Sequence, residues 1–171
     1  HEATDGDWWC YKMDSDEFYL DDPREFLASV PRPYHVVYKR SVDYMLTQED
    51  VDEYRFTGDF AVDREHLRWF KPNAHVERRF FRYRPRLVWR GESIAPDHIG
   101  PAYPRLITAL HYQWRSPEQA QKRLDLRNAI PKDRSGKPFR HIKETDWREI
   151  LVPRSELAFD DDSVDRRAIP V

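Results

Sequence analysis

The chain has 171 residues, 14% aromatic, 39% hydrophobic and 35% charged, with 29 Lys and Arg against 31 Asp and Glu and a formal net charge of −2. Six Trp, nine Tyr and nine Phe argue for a packed core rather than general disorder, and no run reaches the roughly 20 apolar residues of a membrane-spanning helix. Cys10 is the only cysteine, which excludes an internal disulfide.

No secretory leader is legible, and the opening residue is His1 rather than Met, which reads as a mature or excised piece of a longer polypeptide. Cys10 lies in "DWWCYKM", an aromatic setting that suits a packed thiol better than a nucleophile. The first thirty residues are acidic ("DSDEFYLDDPRE"). "DDPREFLASV" predicts a short helix with Asp22 as N-cap and Pro23 at the first helical position. "YHVVYK" (34–39) predicts a strand, and "LTQEDVDEY" a helix whose Thr47 cap and Asp50 form a capping-box variant. "DREHLRWF" (63–70) reads as a third short helix, ended by Pro72.

The segment 68–90, "RWFKPNAHVERRFFRYRPRLVWR", is strongly basic and interleaves aromatics with arginines. That pattern suits a nucleic-acid backbone or another polyanion. It suits better still an amphipathic strand with aromatics inward and arginines outward, paired with the acidic N-terminal third. From Val76 onward it predicts one or two strands, with Pro85 as a break or an edge position. "SPEQAQKRLDLRNA" (116–129) predicts the strongest helix, capped by Ser116. "GKPFRHI" and "REILVP" predict late strands, and "FDDDSVDRRAIPV" a tail with little to bury. The expected class is α+β in one domain over 1–171. Within it, 1–75 is expected to be mainly helical and acidic, 76–159 to hold a mixed or antiparallel β-core, and 160–171 to be the tail.

Nucleotide loops, zinc motifs and nucleophile elbows are absent, and the seven histidines show no metal-ligand spacing, so no metal is expected. Three positions stand out. Arg90 follows the apolar run Leu87-Val88-Trp89 and precedes Gly91. Thr108 lies in "RLITAL", and Glu149 opens "EILVP". An arginine can grip a phosphate bidentately. A hydroxyl can orient a ligand, and a carboxylate can hold a ribose hydroxyl and stabilise an oxocarbenium ion. Each also has a bland reading: a salt-bridged arginine, a strand threonine, a solvated acid at a strand entry.

"LVWRGESIAPDHI" and "REILVPRSELAF" resemble two catalytic segments of the mono-ADP-ribosyltransferase toxins of the cholera and heat-labile enterotoxin type, the arginine–serine–glutamate class. The separations are similar too: about twenty residues from Arg90 to Thr108 and about forty on to Glu149. The resemblance spans 86–159 and implies an ADP-ribosyltransferase-like fold. It implies an NAD-dependent ADP-ribosyltransferase or NAD glycohydrolase, with NAD as substrate. Arg90, Thr108 and Glu149 would be catalytic, and Arg90, Trp89, Gly91 and Trp147 would bind NAD. It further implies a secreted or delivered effector acting in a target-cell cytoplasm, with a protein or nucleic-acid acceptor, a cognate immunity or partner protein, and no membrane. The chain departs from the family pattern at Ile107-Thr108-Ala109, where Ser-Thr-Ser is usual, and at Trp147, where Glu or Gln is usual.

Two other readings stand beside it. "DRSGKPFRHIKETDW" (133–147) resembles the end segments of polymorphic toxins, some of them metal-independent ribonucleases. That would make His141 and Glu144 acid and base, with Arg140 and Lys143 on the phosphate. The third reading is a non-enzymatic interaction domain that binds through its basic–aromatic face.

Overall fold

The computed structural model describes residues 6–90, 96–97, 99–129 and 143–171. The class is α+β, with two compact units interleaved along the chain. The first comprises 1–42, 73–111 and 165–171, and the second 43–72 and 112–164.

The first unit is built on a five-stranded sheet. Its strands are β1 (Trp8–Cys10), β2 (Glu17–Tyr19), β3 (Val36–Asp43), β5 (His75–Arg82) and β6 (Ile107–His111), in the spatial order β1-β5-β3-β6-β2. The pairs β1–β5, β3–β5 and β2–β6 are antiparallel, and a parallel bridge joins Val36 to Ala102. Helix α1 (Pro23–Ala28) forms as its sequence predicts, with the Asp22 carboxylate accepting from Arg24 N at 2.7 Å and Pro23 opening the first turn. It buries Phe26 and Leu27 against Val37, Phe80 and Ile107 on one sheet face. On the other face Val36, Phe81 and Ile99 form a smaller cluster.

A β-bulge sets these faces. Val37 pairs with Phe80 and Tyr38 with Arg78, so Arg79 is the extra residue. Alternation alone would send Phe80 away from the face that carries Glu77 and Arg79. The bulge returns Phe80 to that face, under α1, and turns Phe81 to the opposite one.

The same face carries charge at its far end. The Lys39 side chain is wholly buried and those of Arg79 and Glu17 nearly so, at 2% and 4% exposure. Lys39 Nζ pairs with Glu17 and lies 2.8 Å from Glu77. Arg79 pairs with Glu77 and lies 2.9 Å from Glu17 and 3.7 Å from Asp14. Burial alone would raise the Glu77 carboxyl; the Lys39 and Arg79 charges outweigh it and hold the group low. Glu17 sits on β2, Lys39 on β3 and Arg79 on β5, so the network ties three strands.

The second unit contains α2 (Gln48–Glu53), α3 (Phe60–Asp63), α4 (Pro117–Ala129) and two 3₁₀ turns (Trp147–Ile150 and Arg154–Glu156). It also holds a two-stranded sheet of β4 (Trp69–Phe70) and β7 (Ala158–Phe159). Thr47 and Asp50 cap α2 reciprocally, as read from sequence. Asp50 also binds Arg154 at 2.9 Å, and the Arg154 guanidinium lies over the Trp69 ring. Asp63 is buried at the end of α3. Its Oδ1 accepts from Tyr54 OH, Thr57 N and Thr57 Oγ1 at 2.9–3.0 Å, and its Oδ2 from Gly58 N at 3.0 Å.

Several expectations are corrected. The sheet is not confined to the C-terminal half, since its strands run from residue 8 to 111 and the longest helix follows them. The third helix lies earlier than 63–70, because Asp59 rather than Asp63 is its cap. The "EILVP" strand is instead a 3₁₀ turn, nucleated by a capping box between Asp146 and Glu149. The tail does bury residues: Asp160 and Ile169 are buried, and Pro170 O accepts from Ala74 N at 2.8 Å. The expected "GKPFRHI" strand lies outside the described residues. Among the described residues no helix is long and apolar enough to cross a membrane.

Two outcomes follow for stability. Lys39→Met leaves two carboxylates facing one buried cation and should cost about 3–5 kcal/mol in urea unfolding; unchanged stability would refute the network's role. For Asp63, burial acts upward on the carboxyl, but its hydrogen bonds win and hold it below its usual value. A depressed carboxylate stabilises above its unfolded pKa of about 3.9 and loses that contribution as pH falls through the folded value. The stability gap between wild type and Asp63→Asn should therefore be full near pH 6 and shrink in stronger acid.

Candidate functional site

The residues singled out in the sequence are dispersed. Arg90 is exposed, and its Nε pairs with Asp97 at 2.7 Å. Trp89 is 45% exposed and meets Phe81 edge-on, with ring centroids 5.6 Å apart. Thr108 is buried inside β6, and its carbonyl accepts from Leu20 N at 3.0 Å. No hydrogen bond or ion pair joins Arg90 to Thr108 among the described residues. Gly91, Arg140 and His141 lie outside those residues.

Arg90, Trp89 and Thr108 belong to the first unit, and Glu149 and Trp147 to the second. Glu149 does not open a strand. Its Oε1 accepts from Asp146 N at 3.2 Å and from Thr145 Oγ1 at 3.4 Å, so this carboxylate oxygen caps its own turn. The Trp147 ring lies beneath the Arg148 guanidinium at 4.6 Å, and its backbone N donates to Gln121 Oε1 at 3.0 Å. Glu144 Oε2 accepts from Lys143 N at 2.8 Å. Cys10 is a packed thiol: burial pushes its pKa up, and Sγ donates to Lys12 O.

A different group of residues converges in the first unit. Gly6, Asp7, Arg32, His35, Arg82 and Arg84 line a recess of about 530 Å³. Three arginines stand there against one aspartate. Local folding explains the gathering. The chain beyond β5 stays extended and pairs with the residues before β1, with Gly6 N donating to Tyr83 O and Tyr83 N to Asp7 O. Alternation along "Arg82-Tyr83-Arg84" then puts both arginines on one side. The turn before β3 brings Arg32 and His35. Gly100, at φ +105°, packs against His35, and a Cβ there would come within 3.0 Å of the ring.

Arg82 is the centre of the recess. Its Nε donates to Tyr34 O at 3.0 Å, Nη1 to Gly6 O at 3.3 Å and Nη2 to Val30 O at 2.7 Å. Its guanidinium also lies 4.4 Å from the centroid of the Trp8 ring. Three carbonyls and a ring hold it, and no carboxylate neutralises it among the described residues. Burial, and then the neighbouring Arg32 charge, weaken its hold on its proton. It stays charged, because guanidinium does not titrate in the accessible range. The half-buried positive charge is thus fixed in place and uncompensated. An anion entering the recess would relieve the strain between Arg82 and Arg32.

The aromatic half of segment 68–90 is ordered as well. Trp9 stacks on Tyr83 (5.3 Å, 18°) and leans on Phe81 (6.2 Å). Trp9 is 43% exposed. Phe81 is therefore touched by both Trp9 and Trp89, on the sheet face opposite α1. Sequence reasoning marked this segment as basic and aromatic but did not place Gly6, Asp7, Arg32 and His35 beside it. The Arg-Tyr-Arg alternation was the available signal for the two inward arginines.

Arg86, just beyond the recess, holds the left-handed φ of 70°, at a cost of about 1 kcal/mol. Arg86→Gly should raise stability by about 0.5–1 kcal/mol in chemical denaturation; a loss would mean that the side chain itself secures the loop. No family model, curated protein or solved structure matches this chain.

Proposed function

We propose that this protein is a polyanion-binding interaction module and that the arginine-lined recess of its first unit receives ligand phosphate groups. One observation carries the reading: Arg82 is half-buried beside Arg32 and is held by backbone carbonyls rather than by a carboxylate. A guanidinium pinned in this way is preorganised, so little rotamer freedom is lost when an anion arrives. Arg32 is exposed and has no carboxylate partner among the described residues, which leaves its fork available to a phosphate.

The NAD-cleaving reading, with its ADP-ribosyltransferase-like fold and effector setting, is a separate proposal that rests on the residue resemblance. It asks Glu149 to serve a ribose with a carboxylate that also caps its turn. Nicotinamide release from NAD, abolished by Glu149→Gln, would support it; no release by the wild-type chain would end it.

The polyanion reading is tested with inorganic polyphosphate in titrations at about 50 and 200 mM salt. Binding should weaken steeply as salt rises, because phosphate contacts release counterions. Arg32→Glu breaks no hydrogen bond or ion pair among the described residues and should weaken binding at least about tenfold, for the loss and reversal of one charge-assisted contact. Salt-independent binding, or an Arg32→Glu variant that binds as the wild type does, would overturn the assignment.

A further inference from the structure

The sheet face opposite α1 carries a second feature that the arginine recess does not use. Trp9 and Trp89 are each more than two-fifths exposed, and both rest on the buried Phe81 ring. Tyr83 backs Trp9 at stacking distance. These rings are therefore held in place, yet each leaves much of its surface to solvent. Large aromatic surface left wet in this way marks a contact site.

The face around them is cationic. Tyr38 pairs with Arg78 across β3 and β5, and Arg78 Nε donates to Tyr38 OH at 3.1 Å. By strand alternation Arg40 shares the face with Tyr38 and Val36. Neither Arg40 nor Arg78 has a carboxylate partner among the described residues. Rigid aromatic rings beside uncompensated arginines match the requirements of unpaired bases on a phosphate backbone: every base offers a π-face, and every linkage a negative charge. A phosphorylated protein would use the arginines but would leave the tryptophans unexplained. A duplex keeps its bases stacked inside and could not reach them.

We infer that the Trp9–Trp89 face binds single-stranded nucleic acid, stacking bases on the two tryptophans while Arg40 and Arg78 track the backbone. This rests on the polyanion reading above, which supplies phosphate contacts at the neighbouring recess. The link between the two is the "Arg82-Tyr83-Arg84" run: Arg82 and Arg84 line the recess, and Tyr83 stacks with Trp9 on the other face. A strand contacting both passes over the edge strand β1, which is three residues long.

The test compares two labelled probes of equal charge on the whole chain, by fluorescence anisotropy at low salt. One is an oligodeoxythymidylate 20-mer and the other an abasic 20-mer with the same phosphates. The wild type should bind the thymidylate at least about tenfold more tightly, since only the thymidylate offers bases to stack. Trp89→Ala and Trp9→Ala should each bring the thymidylate toward the abasic value and leave abasic binding unchanged. Trp9→Phe should retain most of the preference, which separates stacking from a damaged fold. Equal binding of both probes, insensitive to either tryptophan, overturns the inference and leaves the polyanion reading standing. If neither probe binds, and polyphosphate does not bind either, both fall.

Discussion

The pairing of Lys39 and Arg79 with Glu17 and Glu77 is the constraint on which the first unit depends. Two cations held out of water are tolerable only if carboxylates meet them at hydrogen-bond distance. Glu17 comes from an edge strand, Lys39 from the middle of the sheet, and Glu77 and Arg79 from the strand beyond. A register slip in any of the three would strand a charge in the interior, so the network specifies register more sharply than apolar contact can. Ala109 of β6, the strand between β2 and β3, is fully buried and small, which leaves Glu17 room to reach Lys39 over it.

The bulge at Arg79 connects that network to the surface chemistry. Upstream of it β5 supplies charge to the α1 face. Downstream, Phe80 enters the core under α1 and Phe81 crosses to the opposite face, where it becomes the floor for Trp9 and Trp89. Arg82, displaced with them, turns toward Trp8 and three carbonyls. One extra residue thus converts an amphipathic strand into a strand with two working faces. The arginines of this segment also divide by fate. Arg79 is neutralised inside and Arg90 is neutralised outside by Asp97. Arg78 and Arg82, like Arg40 on the neighbouring β3, have no carboxylate partner among the described residues. That division, rather than the abundance of arginine, is what supports the proposed polyanion reading for a chain whose net charge is close to zero.

Local signals were legible in the sequence wherever a few adjacent residues decide the outcome. The caps of α1 and α2 followed from Asp22-Pro23 and from Thr47 with Asp50, because a cap needs only its own turn. Helix α4 followed from Ser116 and Pro117 in the same way. The strand expected over "EILVP" failed because apolar content took precedence over the same rule: "DWRE" already carries a capping box, and "ILV" alone does not make a strand. The late placement of the β-core failed for a related reason. Strands as short as β1 and β2, three residues each, show too little alternation to be seen alone and exist because longer neighbours offer them a ladder.

The sequence by itself determined the α+β class, the capped helices and the presence of a basic, aromatic segment, since composition and local hydrogen-bonding chemistry suffice for these. Only the tertiary structure decided which arginines are spent and which are available. That outcome depends on partners far along the chain: Glu17 lies 62 positions from Arg79, and Gly6 lies 76 from Arg82. It also decided that Thr108 is core and that Glu149 caps a turn, because burial and capping are set by what folds against a residue. Charge pattern is a property of the chain, but charge compensation is a property of the fold.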